Sequence, residues 1–151
     1  MLSKKAKYAL SAMVHLARAY GHGPVLISDI AREEDIPKKF LELILLELKN
    51  QGLLESRKGR GGGYMLGRPP DTISIGHVVR LTDGPLAPLP CVSQTAYRRC
   101  EECRDEATCA IRILMKEVRD STARILDGTT LHDMLRRVEE SEKTTRRKST
   151  R

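Results

Sequence analysis

The chain has no tryptophan, a single phenylalanine and only 3% aromatic residues, which leaves little with which to stack unpaired bases and argues against a single-strand nucleic-acid binder. No stretch approaches the ~20 consecutive apolar residues of a membrane span, and no N-terminal run has the length or purity of a signal peptide. The expected location is therefore cytoplasmic, with no membrane partner. There are no internal repeats. Catalytic patterns are missing too. His15, His22, His77 and His132 fall in separate segments without a Ser/His/Asp set or metal-type pairing, so no enzyme is expected. The glycine-rich run at 59–63 is followed by Tyr64-Met65-Leu66 rather than Lys-Ser/Thr, and the third glycine of a dinucleotide fingerprint would fall on Tyr64, which removes both nucleotide-loop readings.

The four cysteines, Cys91, Cys100, Cys103 and Cys109, all lie in one stretch, separated by eight, two and five residues. That spacing is too irregular for two zinc knuckles and too dense for chance burial of thiols. Iron–sulfur, zinc and disulfide chemistry all remain open. In a reducing compartment, metal ligation or redox thiols are favoured over structural disulfides. Cys100-Glu-Glu-Cys103 has the spacing of a thiol oxidoreductase pair, but no βαβ unit surrounds it.

At 151 residues the chain suits one compact domain with an extension. Lys and Arg number 27 against 20 Asp and Glu, a net +7 that suits a polyanionic partner. Five of those cations, Lys143, Arg146, Arg147, Lys148 and Arg151, lie in the last nine residues, which show no apolar period and read as a disordered tail over 142–151.

Along the chain, Ala6, Ala9, Leu10, Met13, Leu16, Ala17 and Tyr20 recur at helical spacing, and Gly21, Gly23 and Pro24 stop that helix. Ser28 reads as an N-cap with Asp29 in the first turn. A third helix opens at Pro37, buries Phe40, Leu41, Ile44, Leu45 and Leu48, and closes at Gly52. This is a helix-turn-helix. Leu53–Ser56 and Tyr64–Leu66 then pair as a hairpin around a basic, glycine-rich tip, Arg57 to Gly63, which in this position is a wing. Wing glycines allow close approach to a phosphate or minor groove, with Arg57, Lys58 and Arg60 supplying charge. On the third helix, Lys38, Lys39 and Glu42 oppose the buried leucines and can reach phosphates or base edges. Leu43 and Leu46 also fall outside the buried stripe. The candidate DNA-contacting residues are Ser28, Lys38, Lys39, Glu42, Arg57, Lys58 and Arg60. A short helix over Ile73–Thr82 follows, then the cysteine loop, then a long amphipathic helix from about Glu106 to Leu126 without a partner in its own chain, which suggests dimerisation. A last helix runs from Leu131 to about Glu140.

This order of parts resembles the IscR/NsrR-type winged-helix transcription regulators, a family that includes CymR and RirA. The residues that carry the resemblance are Lys5-Ala6-Lys7-Tyr8-Ala9-Leu10, Ile30-Ala31, Phe40-Leu41-Glu42, Gly59 to Tyr64, Arg68-Pro69-Pro70 and Gly84 to Pro88. The resemblance implies a homodimer crossing its long helices, two winged heads on a pseudopalindromic double-stranded operator, and an iron–sulfur cluster whose state alters DNA affinity. It also implies three cluster ligands, Cys91, Cys103 and Cys109. Two departures stand out. Arg112 occupies the place of a histidine ligand and Lys7 that of an acidic one, while Cys100 is additional and is the candidate fourth ligand.

The expected fold is mainly α: a winged helix-turn-helix over 1–83 with a two-stranded wing, a cysteine-bearing loop over 84–105, and a dimerisation helix with a C-terminal helix over 106–141. The expected function is a dimeric DNA-binding repressor governed by a two-iron or four-iron cluster. The alternatives are a thiol/disulfide redox switch without a cluster, and a zinc-stabilised protein-interaction module.

Overall fold

Helix α1, Lys4–Arg18, is rich in alanine on the side that meets its neighbours, burying Ala6, Ala9, Ala12, Met13, Leu16 and Ala17. Small residues let other helices come close, so α1 is the axis of the head. In this computed structural model, which describes residues 2–149, Leu10 is only half-buried and Tyr20 is exposed; Ala12 takes their place in the core. Ser3 caps α1 by accepting from the Ala6 amide at 3.0 Å. The Asp83 carboxylate accepts from both the amide and the hydroxyl of Ser3, which ties the start of the chain to the end of a later helix.

Helix α2, Ile27–Glu33, starts two residues earlier than the sequence suggests. Its N-cap is Leu26, without a side-chain cap bond, and Ser28 lies inside the helix and exposed. The Ser28 cap expectation is thus corrected. The cause is tertiary: Val25 is drawn into an antiparallel bridge with Tyr64, through two backbone hydrogen bonds of 2.8 Å, and this decides where the extended chain ends. Between α2 and α3, Lys38–Asn50, the turn passes through Asp35 at φ 52, a left-handed conformation that aspartate tolerates better than most residues. Leu41, Ile44, Leu45 and Leu48 are buried as expected, and Phe40 is partly buried edge-on to Tyr8 of α1.

Strands β1, Leu54–Arg57, and β2, Gly63–Leu66, pair antiparallel from Leu54↔Leu66 to Arg57↔Gly63, and the isolated bridge from Val25 to Tyr64 adds one further pair. The fold is a mainly helical winged helix. Helix α4, Ile75–Asp83, is capped by Ser74 and ends at Gly84, φ 83.

Helix α5, Ala110–Asp127, begins four residues later than the periodicity suggests and buries none of its side chains. Asp105 accounts for the late start: it accepts from the Ala107 amide and the Thr108 hydroxyl, both at 3.0 Å, and holds 105–108 in a local turn that competes with helix. Helix α6, Leu131–Ser149, packs on α1 and inserts fully buried Leu131 into the head. It therefore belongs with the head rather than with α5. It also extends past Glu140 where the sequence reads as disordered. The Thr144 and Thr145 hydroxyls donate to the carbonyls of Glu140 and Ser141, and Arg18 meets Glu142 at 3.8 Å. Clustered cations in a last helical turn also complement the helix dipole. The final two residues of the expected tail, Thr150 and Arg151, lie outside the described residues, as does Met1.

Candidate functional site

The candidate residues fall in two regions of the fold. The first is the outer surface of the head. Lys38, Lys39 and Glu42 are exposed on α3, and Arg57, Lys58 and Arg60 are exposed on the wing. Ser28 is exposed near the start of α2. Glycine has two different jobs in the wing. At Gly59 and Gly61 a Cβ would meet nothing within 4 Å, so these leave an open, cationic tip. At Gly62 a Cβ would lie 2.3 Å from the Arg57 carbonyl oxygen, and at Gly63, φ 143, it would lie 2.2 Å from that of Val25. Glycine at 62 is therefore required by the hairpin's own backbone, and at 63 by the close approach of Val25, rather than by a ligand.

The second region is the cysteine loop. Pro90–Val92 forms one 3-10 turn that buries Cys91 and Val92. Helix α5 holds that turn with two arginines: Arg112 Nε donates to the Cys91 carbonyl at 3.3 Å, and Arg119 Nη1 donates to the Val92 carbonyl at 2.5 Å. Arg99 donates to the carbonyls of Cys103 and Arg104, and the Tyr97 hydroxyl donates to Glu106 at 2.6 Å. Arg80 of α4 grips Asp127 at the far end of α5, with bonds of 2.5 and 2.9 Å. A Cβ at Gly76 would come 1.9 Å from that carboxylate, so glycine there makes room for the pair.

All four cysteines are free thiols and all four line one cleft, with Leu89, Arg98 and Arg112 among its walls. Cys91 is buried, Cys103 and Cys109 are half-buried and Cys100 is exposed. Desolvation first, and then the neighbouring Cys109 thiol, push the Cys103 thiol above its ordinary pKa. Among the described residues, no three His, Cys, Asp or Glu side chains stand close enough to hold a metal ion. The donors thus share a cleft without being gathered into a ligand set. Among the same residues, no helix is long and apolar enough to cross a membrane.

A winged head followed by a cysteine loop and an uncovered helix is the layout to compare with known proteins. The model of the Rrf2 family, iron-dependent transcriptional regulators, matches residues 2–137.

The chain belongs to the Rrf2 family.

A putative rrf2-like HTH-type transcriptional regulator of Rhodobacter capsulatus is 46% identical over 138 residues, covering 89% of this chain and 92% of that protein. CymR of Bacillus subtilis is 35% identical over 133 residues, 88% of each chain. Its solved structure, described as that of the global cysteine regulator, superposes with a TM-score of 0.75 at 33% identity, covering 89% of this chain and 95% of that one. T. potens IscR superposes with a TM-score of 0.74 at 29% identity, covering 93% and 90%. The Rrf2 chain described here is therefore a DNA-binding transcriptional regulator, not an enzyme.

Some of its working parts escaped the sequence. Arg112 stood out there only as a missing histidine, and Arg119 not at all, because a carbonyl acceptor 27 positions away leaves no local pattern. Gly76 beside Asp127 was hidden for the same reason.

Proposed function

We propose that this Rrf2-family regulator is a homodimer that binds a pseudopalindromic operator as a repressor, with DNA affinity set by an iron–sulfur cluster held in the cysteine loop. The observation that carries this reading is the single cleft lined by Cys91, Cys100, Cys103 and Cys109 at the start of α5. The chemistry of the donors fits, although they are not gathered into a ligand set: soft sulfur ligands suit either a two-iron or a four-iron cluster. Cys91, Cys103 and Cys109 would hold it, with Cys100 as fourth ligand. When bound, such a group supplies a centre that oxidants, nitric oxide or iron shortage can destroy.

The chain's own residues supply the rest. In this reading Lys38, Lys39 and Glu42 face the major groove, Arg57, Lys58 and Arg60 face phosphates, and Ser28, exposed near the start of α2, adds a further contact. Arg112 and Arg119 bind the Cys91 turn to α5, so a change in the loop acts on the helix that pairs the subunits. Affinity responds because the two loop states favour different spacings of the heads.

Purification without oxygen, followed by iron and acid-labile sulfide analysis and an absorption spectrum, tests the cluster. A colourless protein lacking both would sink it and leave DNA binding untouched. Stoichiometric zinc without salt-dependent duplex binding would instead favour a zinc-stabilised interaction module. One observation favours a second reading, a thiol switch: four free thiols line one cleft, with Cys100 and Cys103 only two residues apart. Mass spectrometry after mild peroxide then finds a disulfide within 91–109. Reduced thiols with unaltered affinity rule that out.

A further inference from the structure

The outward face of α3 carries two large apolar side chains. Leu43 is 66% and Leu46 47% exposed, while Leu41, Ile44, Leu45 and Leu48 on the other side are fully buried. Neither exposed leucine belongs to the core cluster. Lys39, Leu43, Leu46 and Asn50 follow at steps of four, three and four, so they form one ridge, with neighbouring Cβ atoms roughly 5–6 Å apart. Leu43 sits in the first half of α3, the part of a recognition helix that meets base edges.

What covers this ridge is decided by its surroundings. Lys38, Lys39 and Lys49 are exposed on the same helix, and Arg57, Lys58 and Arg60 on the wing. A second copy docking here would bring the same cations against these, which is repulsive. The fitting occupant is a polyanion that also offers an apolar spot. Duplex DNA does so in its major groove, through the C5 methyl group of thymine. Duplex RNA does not: its deep, narrow major groove excludes the side chains of such a ridge.

We propose that Leu43, with Leu46 behind it, is a specificity-determining residue that reads thymine methyl groups in each operator half-site. The proposal rests on α3 being the DNA-reading helix. Glu42 beside it is then the polar reader and Leu43 the apolar one, so thymine is selected by contact with its methyl rather than by a hydrogen bond.

The test starts by selecting duplexes from a random pool with the full-length protein. Each thymine of the selected half-site is then replaced in turn by uracil, which lacks only the methyl. The expected result is about fourfold weaker binding at one or two positions per half-site, the value of one buried methyl-sized group, and no change elsewhere. Leu43→Ala should bind the thymine and uracil duplexes equally, with an unchanged thermal midpoint, because its side chain is exposed. Tolerance of uracil at every position, or wild-type discrimination by Leu43→Ala, would overturn the proposal while leaving α3 as the reading helix. A changed sedimentation coefficient for Leu43→Ala in the absence of DNA would overturn it in favour of a second copy on the ridge. Failure to select any duplex would overturn the underlying reading of α3.

Discussion

Single residues in this chain owe their identity to neighbours far along the sequence. Gly63 shows this most directly, since its added Cβ would lie 2.2 Å from the Val25 carbonyl oxygen at φ 143. Gly63→Ala should therefore cost more than the roughly 1–3 kcal/mol of backbone strain alone. Gly59→Ala, at φ 85 in open space, should cost only about 1–2 kcal/mol. Urea unfolding at constant slope measures the order, and equal midpoints would refute the steric role given to Gly63. Asp127 makes a second residue-scale case. The Arg80 hydrogen bond holds its carboxyl below the ordinary aspartate pKa. A depressed carboxyl contributes stability that is complete above its unfolded pKa and is lost as pH falls through the folded one. Asp127→Asn should thus lower stability at neutral pH, by less than about 1 kcal/mol because the pair is partly exposed, and the difference should shrink in acid. A deficit that persists at low pH would mean packing, not charge, is at work.

Whole elements add properties that no residue has alone. The wing combines exposed Arg57, Lys58 and Arg60 on a hairpin braced by Val25. Replacing all three with alanine should weaken binding to any duplex and flatten the plot of log affinity against log salt by about 0.9 for each phosphate the wing no longer neutralises. An unchanged slope would remove the wing from the interface. The turn at Pro90–Val92 is likewise an element held by another element, through Arg112 and Arg119 of α5. Arg119→Ala should free that turn, giving faster amide exchange at 91–93 while the head keeps its protection. Exchange unchanged there would mean that Val92 and Cys91 are held by their own burial.

The molecule as a whole leaves one long surface uncovered. Ile111, Leu114, Val118 and Ile125 are exposed at helical spacing along α5, whereas every other α-helix buries at least one side chain among the described residues. In the proposed homodimer a second copy of α5 would cover it, with the two heads then spaced for two half-sites. Val118→Glu should give a monomer by sedimentation that retains weak binding to a single half-site and loses the tight binding to the full operator. A dimer that survives this change would move the subunit contact elsewhere.

Much of the head was legible because its signals are local: leucines at three- and four-residue steps, breakers at Pro24, Pro37 and Gly52, and paired short strands around glycines. The four clustered cysteines and the late amphipathic helix were legible in the same way. The start of α2 was not, because Val25 pairs with Tyr64 across the head. Nor was the start of α5, where an aspartate turn outcompetes the helical period, nor the allegiance of α6, whose Leu131 is drawn into the core beside Ile73. The order of elements and the chemistry on offer were thus determined by the sequence itself, since periodicity and side-chain type are properties of short stretches. The tertiary structure alone decided which glycines are indispensable, which arginines grip the cysteine loop and which element α6 packs on. These depend on which distant residues meet, and no local pattern records that.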